Sequence, residues 1–151
     1  CGGWMSMMLL ARYSDAAAGG ISFMPACYGH LTKNYKVKKI GVDEALKKFR
    51  EKDGSGPSDM RQMQIDEIKK SQNLPVLVFS HPKDPFDGLL TDWVEEISGV
   101  KRIVISEDNK IDGKKCNVWG KALKNYHDMD RADCFISYNS TILDFISTKI
   151  N

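Results

Sequence analysis

The stretch that decides the fold is Pro75-Val76-Leu77-Val78-Phe79, closed by Ser80-His81-Pro82-Lys83-Asp84-Pro85. The first part shows no polar alternation. A strand of this kind buries both faces, as strands do in parallel sheets covered by helices on either side. The proline-rich polar tail ends it. Two later segments share the texture: residues 102–106 (RIVIS) and 133–138 (DCFISY). Helical spacing lies between them. Leu89, Leu90, Trp93, Val94 and Ile97 share one face ahead of Gly99, and residues 118–126 predict another helix. The alternation predicts an α/β fold, an open and mostly parallel sheet with flanking helices and right-handed crossovers.

Working back from this core, residues 4–13 predict a helix and residues 21–24 a short strand stopped by Pro25. Residues 42–52 predict an amphipathic helix with Ala45, Leu46 and Phe49 on one stripe. Residues 53–58 (DGSGPS) read as a loop and as the best internal boundary, after which Ser58 or Asp59 caps a helix through Lys70. The expected organisation is a helical and irregular segment over 1–58, part of a larger domain, and an α/β domain over 59–151. Cys1 and Asn151 both fall within helical patterns, so the chain is expected to be a fragment of a larger protein.

The 151 residues allow one domain with a sizeable core. Apolar residues make up 42% and charged residues 28%, with a net charge of +2, which does not point to nucleic acid. The basic run KNYKVKK over 33–39 reads as a solvated face. No apolar run approaches the ~18 residues of a membrane span. Cys1, Cys27, Cys116 and Cys134 show no zinc spacing with His30, His81 or His127, which suggests free thiols in a reducing cytoplasm.

In open parallel sheets, ligands bind beyond the carboxyl ends of the strands. Residues 80–83, 106–109 and 139–141 are expected to converge there. The first brings His81 and Lys83. The last, Asn139-Ser140-Thr141, follows a strand and opens a helix, whose free N–H groups and partial positive charge favour an anion. Together they could hold a phosphate or diphosphate. The plainer reading of the same turn is helix capping, with Thr141 as N-cap and Asp144 three residues on. His81 has two readings, a satisfied rim histidine beside a strand-stopping proline, or an imidazole that polarises a leaving phosphate.

The segments LPVLVFSHPKD (74–84), RIVIS and ADCFISYNSTILDF (132–145) together resemble the C-terminal half of GT-B glycosyltransferases, nearest to the capsule-polysaccharide type. The resemblance covers roughly residues 59–150. It implies a nucleotide-sugar-binding domain, with a nucleotide sugar as donor substrate, an unknown acceptor and no bound metal or cofactor. His81 would be the catalytic contact to phosphate or sugar. Lys83, Asn139, Ser140 and Thr141 would hold the donor, and Asp144 could reach a donor hydroxyl. The family usually continues with a Gly-Pro element and another strand, which do not follow here.

Two other classes compete. Cys1-Gly2-Gly3-Trp4 at a helix start resembles the nucleophile of papain-like enzymes, because the helix dipole favours a thiolate. A cysteine hydrolase would pair Cys1 with His81 and Asp84, or with His127 and Asp128. A non-catalytic α/β interaction module is the third reading, and CFISYNSTILDF resembles the opening of TIR domains. Asp128-Met129-Asp130 has the D-x-D form of metal-dependent transferases, but a solvated helix end accounts for it.

Overall fold

The computed structural model describes residues 2–25, 36–53, 55–81, 84, 91–105, 110–111, 114–115 and 138–150. Three strands, β1 (Gly20–Phe23), β2 (Val76–Ser80) and β3 (Val100–Val104), form one parallel sheet in the order β1-β2-β3. Helices flank it, so the fold is α/β. Val76 pairs with Gly20 on one side and Val100 on the other.

β2 is the centre, and all five of its residues are buried. Successive side chains point to opposite faces, and each face has its own apolar cluster. Val76 and Val78 join Trp4, Met7, Met8 and Leu10 of helix α1 (Gly2–Arg12), together with Ile65, Ile68, Val94 and Ile97. Leu77 and Phe79 join Met24 and Ile105 on the other face. Tyr138, Ile142 and Phe145 pack against this second cluster, the last two from helix α5 (Asn139–Ile150). The unbroken apolar run therefore reflects helices on both sides of one strand.

Between β1 and β2 lie α2 (Val37–Ile40), α3 (Val42–Asp53) and α4 (Ser55–Lys69). Only Gly54 separates α3 from α4, so residues 55–58, expected as loop, are helical. Pro57 allows this because it stands in the first turn, where a missing N–H breaks no intrahelical bond. The expected boundary at residue 58 falls within α4, and β1 joins the N-terminal third of the chain to the same sheet as β2.

Two other expectations shift. In the described part of the helical pattern expected over 89–97, from Thr91 on, the helix is a 3-10 helix, Asp92–Glu96, that buries Trp93 and Val94. The segment is short, and tighter turns serve such connectors. β3 begins two residues early, at Val100. Gly99 adopts φ 84°, and its would-be Cβ would lie 2.8 Å from the Asn73 carbonyl carbon. That close turn, tied by the Leu74 N–H donating to Ser98 O at 2.8 Å, starts the strand at once. Residues 118–126 and 133–137 lie outside the described residues. A two-stranded hairpin pairs β4 (Lys110–Ile111) with β5 (Lys114–Lys115).

Candidate active site at the carboxyl edge of the sheet

α1 and α5 both start at the carboxyl edge of the strands. For α1 the evidence is a close approach. A Cβ on Gly3 would lie 2.2 Å from Phe23 O and 2.9 Å from Ser22 Oγ. The Ser22 hydroxyl, buried, donates to Gly3 O at 2.8 Å. Only glycine lets the helix start lie this near the strand end. For α5, Tyr138 meets Phe79 edge-on at 5.2 Å, whereas Phe145 reaches Gly19 at the opposite end of β1. Each helix therefore aims its first free N–H groups, and its partial positive charge, at the same edge.

The sheet brings its own groups there. Met24 follows β1 with φ 45°, a left-handed conformation uncommon for a long side chain, and is buried. Its N–H donates to Phe79 O at 2.8 Å, which ties the end of β1 to β2. Past β2 the chain turns sharply, with the Asp84 N–H donating to His81 O at 2.9 Å. His81 is 2% exposed and Asp84 3%. A carboxylate this deep needs hydrogen-bonding or charged partners. Ser80 and Thr91 are buried beside this turn in the chain.

Arg102 on β3 closes the arrangement. Its Nε donates to Ser80 Oγ at 2.9 Å, and one Nη reaches Asp92 at 2.6 Å and Glu95 at 2.8 Å. Burial of the Tyr138 ring pushes its phenol above the ordinary 10.0.

Of the residues expected at the site, His81, Asn139, Ser140 and Thr141 belong to elements at this edge. His81 is enclosed, whereas Asn139 and Ser140 are exposed. Thr141 is not the N-cap: α5 begins at Asn139, which makes Thr141 its third residue. Asp144 is exposed a turn further on, and its carbonyl accepts the Ser147 hydroxyl. Lys83, Cys1, His30, His127, Asp128, Asp130 and residues 106–109 lie outside the described residues. Among the described residues no helix is long and apolar enough to cross a membrane. A cavity of about 320 Å³ lined by Leu9, Leu10, Tyr13, Gly20 and Ile21 lies toward the amino ends of the strands, away from these groups.

Comparison with protein-family descriptions, with curated proteins and with solved structures finds no match. Sequence reasoning named Asp84 only as a partner of Cys1, and did not name Gly3, Met24 or Arg102 as site residues. The signal for Gly3 was the Gly2-Gly3 pair beside a helix start. Arg102 read as an ordinary strand residue.

Proposed function

We propose that the chain carries the acid and the helix elbow of a hydrolase acting by acyl transfer. The observation that carries this reading is the buried Asp84, turned back at the carboxyl edge of β2, on the edge where the glycine-packed start of α1 lies. A nucleophile at a sharp turn into a helix, then an acid after a later strand, then a histidine, is the chain order of α/β-hydrolases. Here Cys1 precedes α1, Asp84 follows β2, and His127 is the one histidine after Asp84.

Cys1-Gly2-Gly3 has the nucleophile-x-Gly form, and the dipole of α1 favours the thiolate. With the thiol proton held by His127, the thiolate attacks an ester carbonyl carbon. Free N–H groups at the start of α1 stabilise the oxyanion. The carbon–oxygen bond breaks as His127 protonates the leaving alkoxide. His127 then takes a proton from water, which attacks the thioester and regenerates the thiolate. Asp84 orients His127 and stabilises its imidazolium. In a longer chain, the residue before Cys1 fits the same form with Gly2, and the Cys1 N–H then lines the oxyanion hole. A thiolate nucleophile calls for a reducing compartment.

The test is hydrolysis of p-nitrophenyl esters with mass mapping of the trapped acyl adduct. Asp84→Asn is expected to lower kcat by about 10⁴-fold, the cost of losing such an acid. A folded Asp84→Asn variant at the wild-type rate would sink the reading. The adduct's peptide identifies the nucleophile.

A second reading is favoured by one observation, the exposed start of α5 at the same edge. There Asn139, Ser140 and Thr141, with Lys83, would hold the phosphates of a nucleotide sugar in a GT-B-like transferase, with His81 near the sugar or phosphate. Amide titration with UDP, GDP and CMP and their sugars separates the two. Saturable shifts at residues 139–141 support the donor site, and their absence in a folded sample removes it.

A further inference from the structure

We infer that Arg102 is a positioning residue that clasps the loop carrying His81 and Asp84 at both of its ends. This assignment rests on the hydrolase reading for its catalytic consequence, though its geometry stands alone. The stretch that carries His81 and Asp84 leaves the sheet at Ser80 and enters the 3-10 helix at Asp92. One guanidinium holds both points, with Nε to Ser80 Oγ at 2.9 Å and Nη1 to Asp92 Oδ1 at 2.6 Å. Nη1 also reaches Glu95 Oε1 at 2.8 Å, within the 3-10 helix Asp92–Glu96. The Arg102 side chain is 9% exposed, whereas Asp92 and Glu95 are 79% and 60% exposed. The buried fork therefore reaches out to two carboxylates that stay largely in solvent. The strand is fixed as well, because the Ile105 N–H donates to Ser80 O at 2.8 Å.

The fork matters more than the charge. A planar guanidinium satisfies a hydroxyl and two carboxylates in fixed directions, whereas an ammonium on a flexible stem cannot keep all three. With the clasp gone, Ser80 Oγ and Asp92 lose their common anchor, and the turn that seats Asp84 loosens.

The experiment compares Arg102→Lys and Ser80→Ala with the wild-type protein, using amide hydrogen exchange and ester kinetics. In Arg102→Lys the Asp84 amide, bonded to His81 O, is expected to exchange at least about tenfold faster, while the Val78 amide in β2 keeps its protection. kcat is expected to fall about a hundredfold with KM changed far less, the signature of a misplaced catalytic group. Ser80→Ala, which removes one of three contacts, is expected to shift both readouts in the same direction by less. Wild-type protection at Asp84 in a folded Arg102→Lys protein overturns the clasp. Faster exchange at Asp84 in a wild-type protein background that hydrolyses no ester supports the clasp and rejects the hydrolase reading.

Discussion

Replacing Gly3 by alanine gives a prediction whose sign separates two causes. Helix propensity alone makes Gly3→Ala stabilising by about 0.5–1 kcal/mol. Packing makes it costly. The new Cβ would lie 2.2 Å from Phe23 O and 2.9 Å from both Phe23 C and Ser22 Oγ, where real Cβ contacts essentially never fall below 3.0 Å. The obstacle is backbone paired into the sheet, so α1 must retreat by nearly an ångström at its first turn. Overpacking of this kind costs about 1–3 kcal/mol. The same retreat stretches the buried Ser22–Gly3 bond, 2.8 Å long, which adds about 1 kcal/mol. Net of propensity, the expected loss is about 2 kcal/mol, or roughly 4–8 °C in Tm for a chain of this size. Gly2 supplies the internal control. Nothing lies within 4 Å of its would-be Cβ, so Gly2→Ala should be neutral or gain up to about 1 kcal/mol. Thermal and urea unfolding of both variants measure the difference. A Gly3→Ala protein as stable as Gly2→Ala would refute the close approach of α1 to β1, and with it the elbow.

Other expectations follow from the same geometry. Phe79 is fully buried, stacked on Phe23 at 5.0 Å and edge-on to Tyr138. Phe79→Leu should therefore cost about 2 kcal/mol in urea unfolding, and a change under 0.5 kcal/mol would contradict the packing. The Arg12 guanidinium, through a hydrogen bond and its charge, holds the Glu67 carboxyl below its usual 4.5. Its stabilisation is present above the unfolded pKa and fades as pH falls through the lower folded value. The Tm gap between wild type and Glu67→Gln should thus close in acid, and a gap independent of pH would remove the pair's role. Tyr138 runs the other way. Its raised phenol contributes stability below 10.0 that is lost as pH rises through the folded pKa, so one tyrosine should titrate late in alkaline ultraviolet spectra.

The sheet was legible where burial wrote itself into composition. Residues 75–79 announced a central strand because both faces are covered, and residues 102–106 pointed to β3 within two positions. Residues 21–24 pointed to β1 within one position, but its place beside β2 was hidden, since Gly20, Ser22 and a glycine-dependent contact do not look like core. Residues 55–58, expected as loop, became helix because Gly and Pro at a helix start lose little of what they lose in its interior. At the site, Asn139-Ser140-Thr141 is legible as a helix start, but α5 begins at Asn139 and so takes Thr141 inside it. Asp84 is legible only as one possible partner of Cys1, and Arg102 is invisible to local pattern. The meaning of Arg102 comes from contacts between β2, β3 and the 3-10 helix, and that of Asp84 from its burial, which no spacing along the chain encodes.

The buried run of β2 also has a consequence for the chain before it folds. Val76-Leu77-Val78-Phe79 carries no charge and has strong β propensity, the composition of a self-associating segment. In the native sheet both of its edges are paired and both of its faces are covered. Its partner β1 lies more than fifty residues earlier and its other partner some twenty later, so during synthesis the segment waits for β3 with one edge open. Any truncation that ends before Val100 leaves that edge open permanently. Such products should collect in inclusion bodies, whereas chains that carry both β3 and α5, which covers the Leu77 and Phe79 face, should stay in the supernatant.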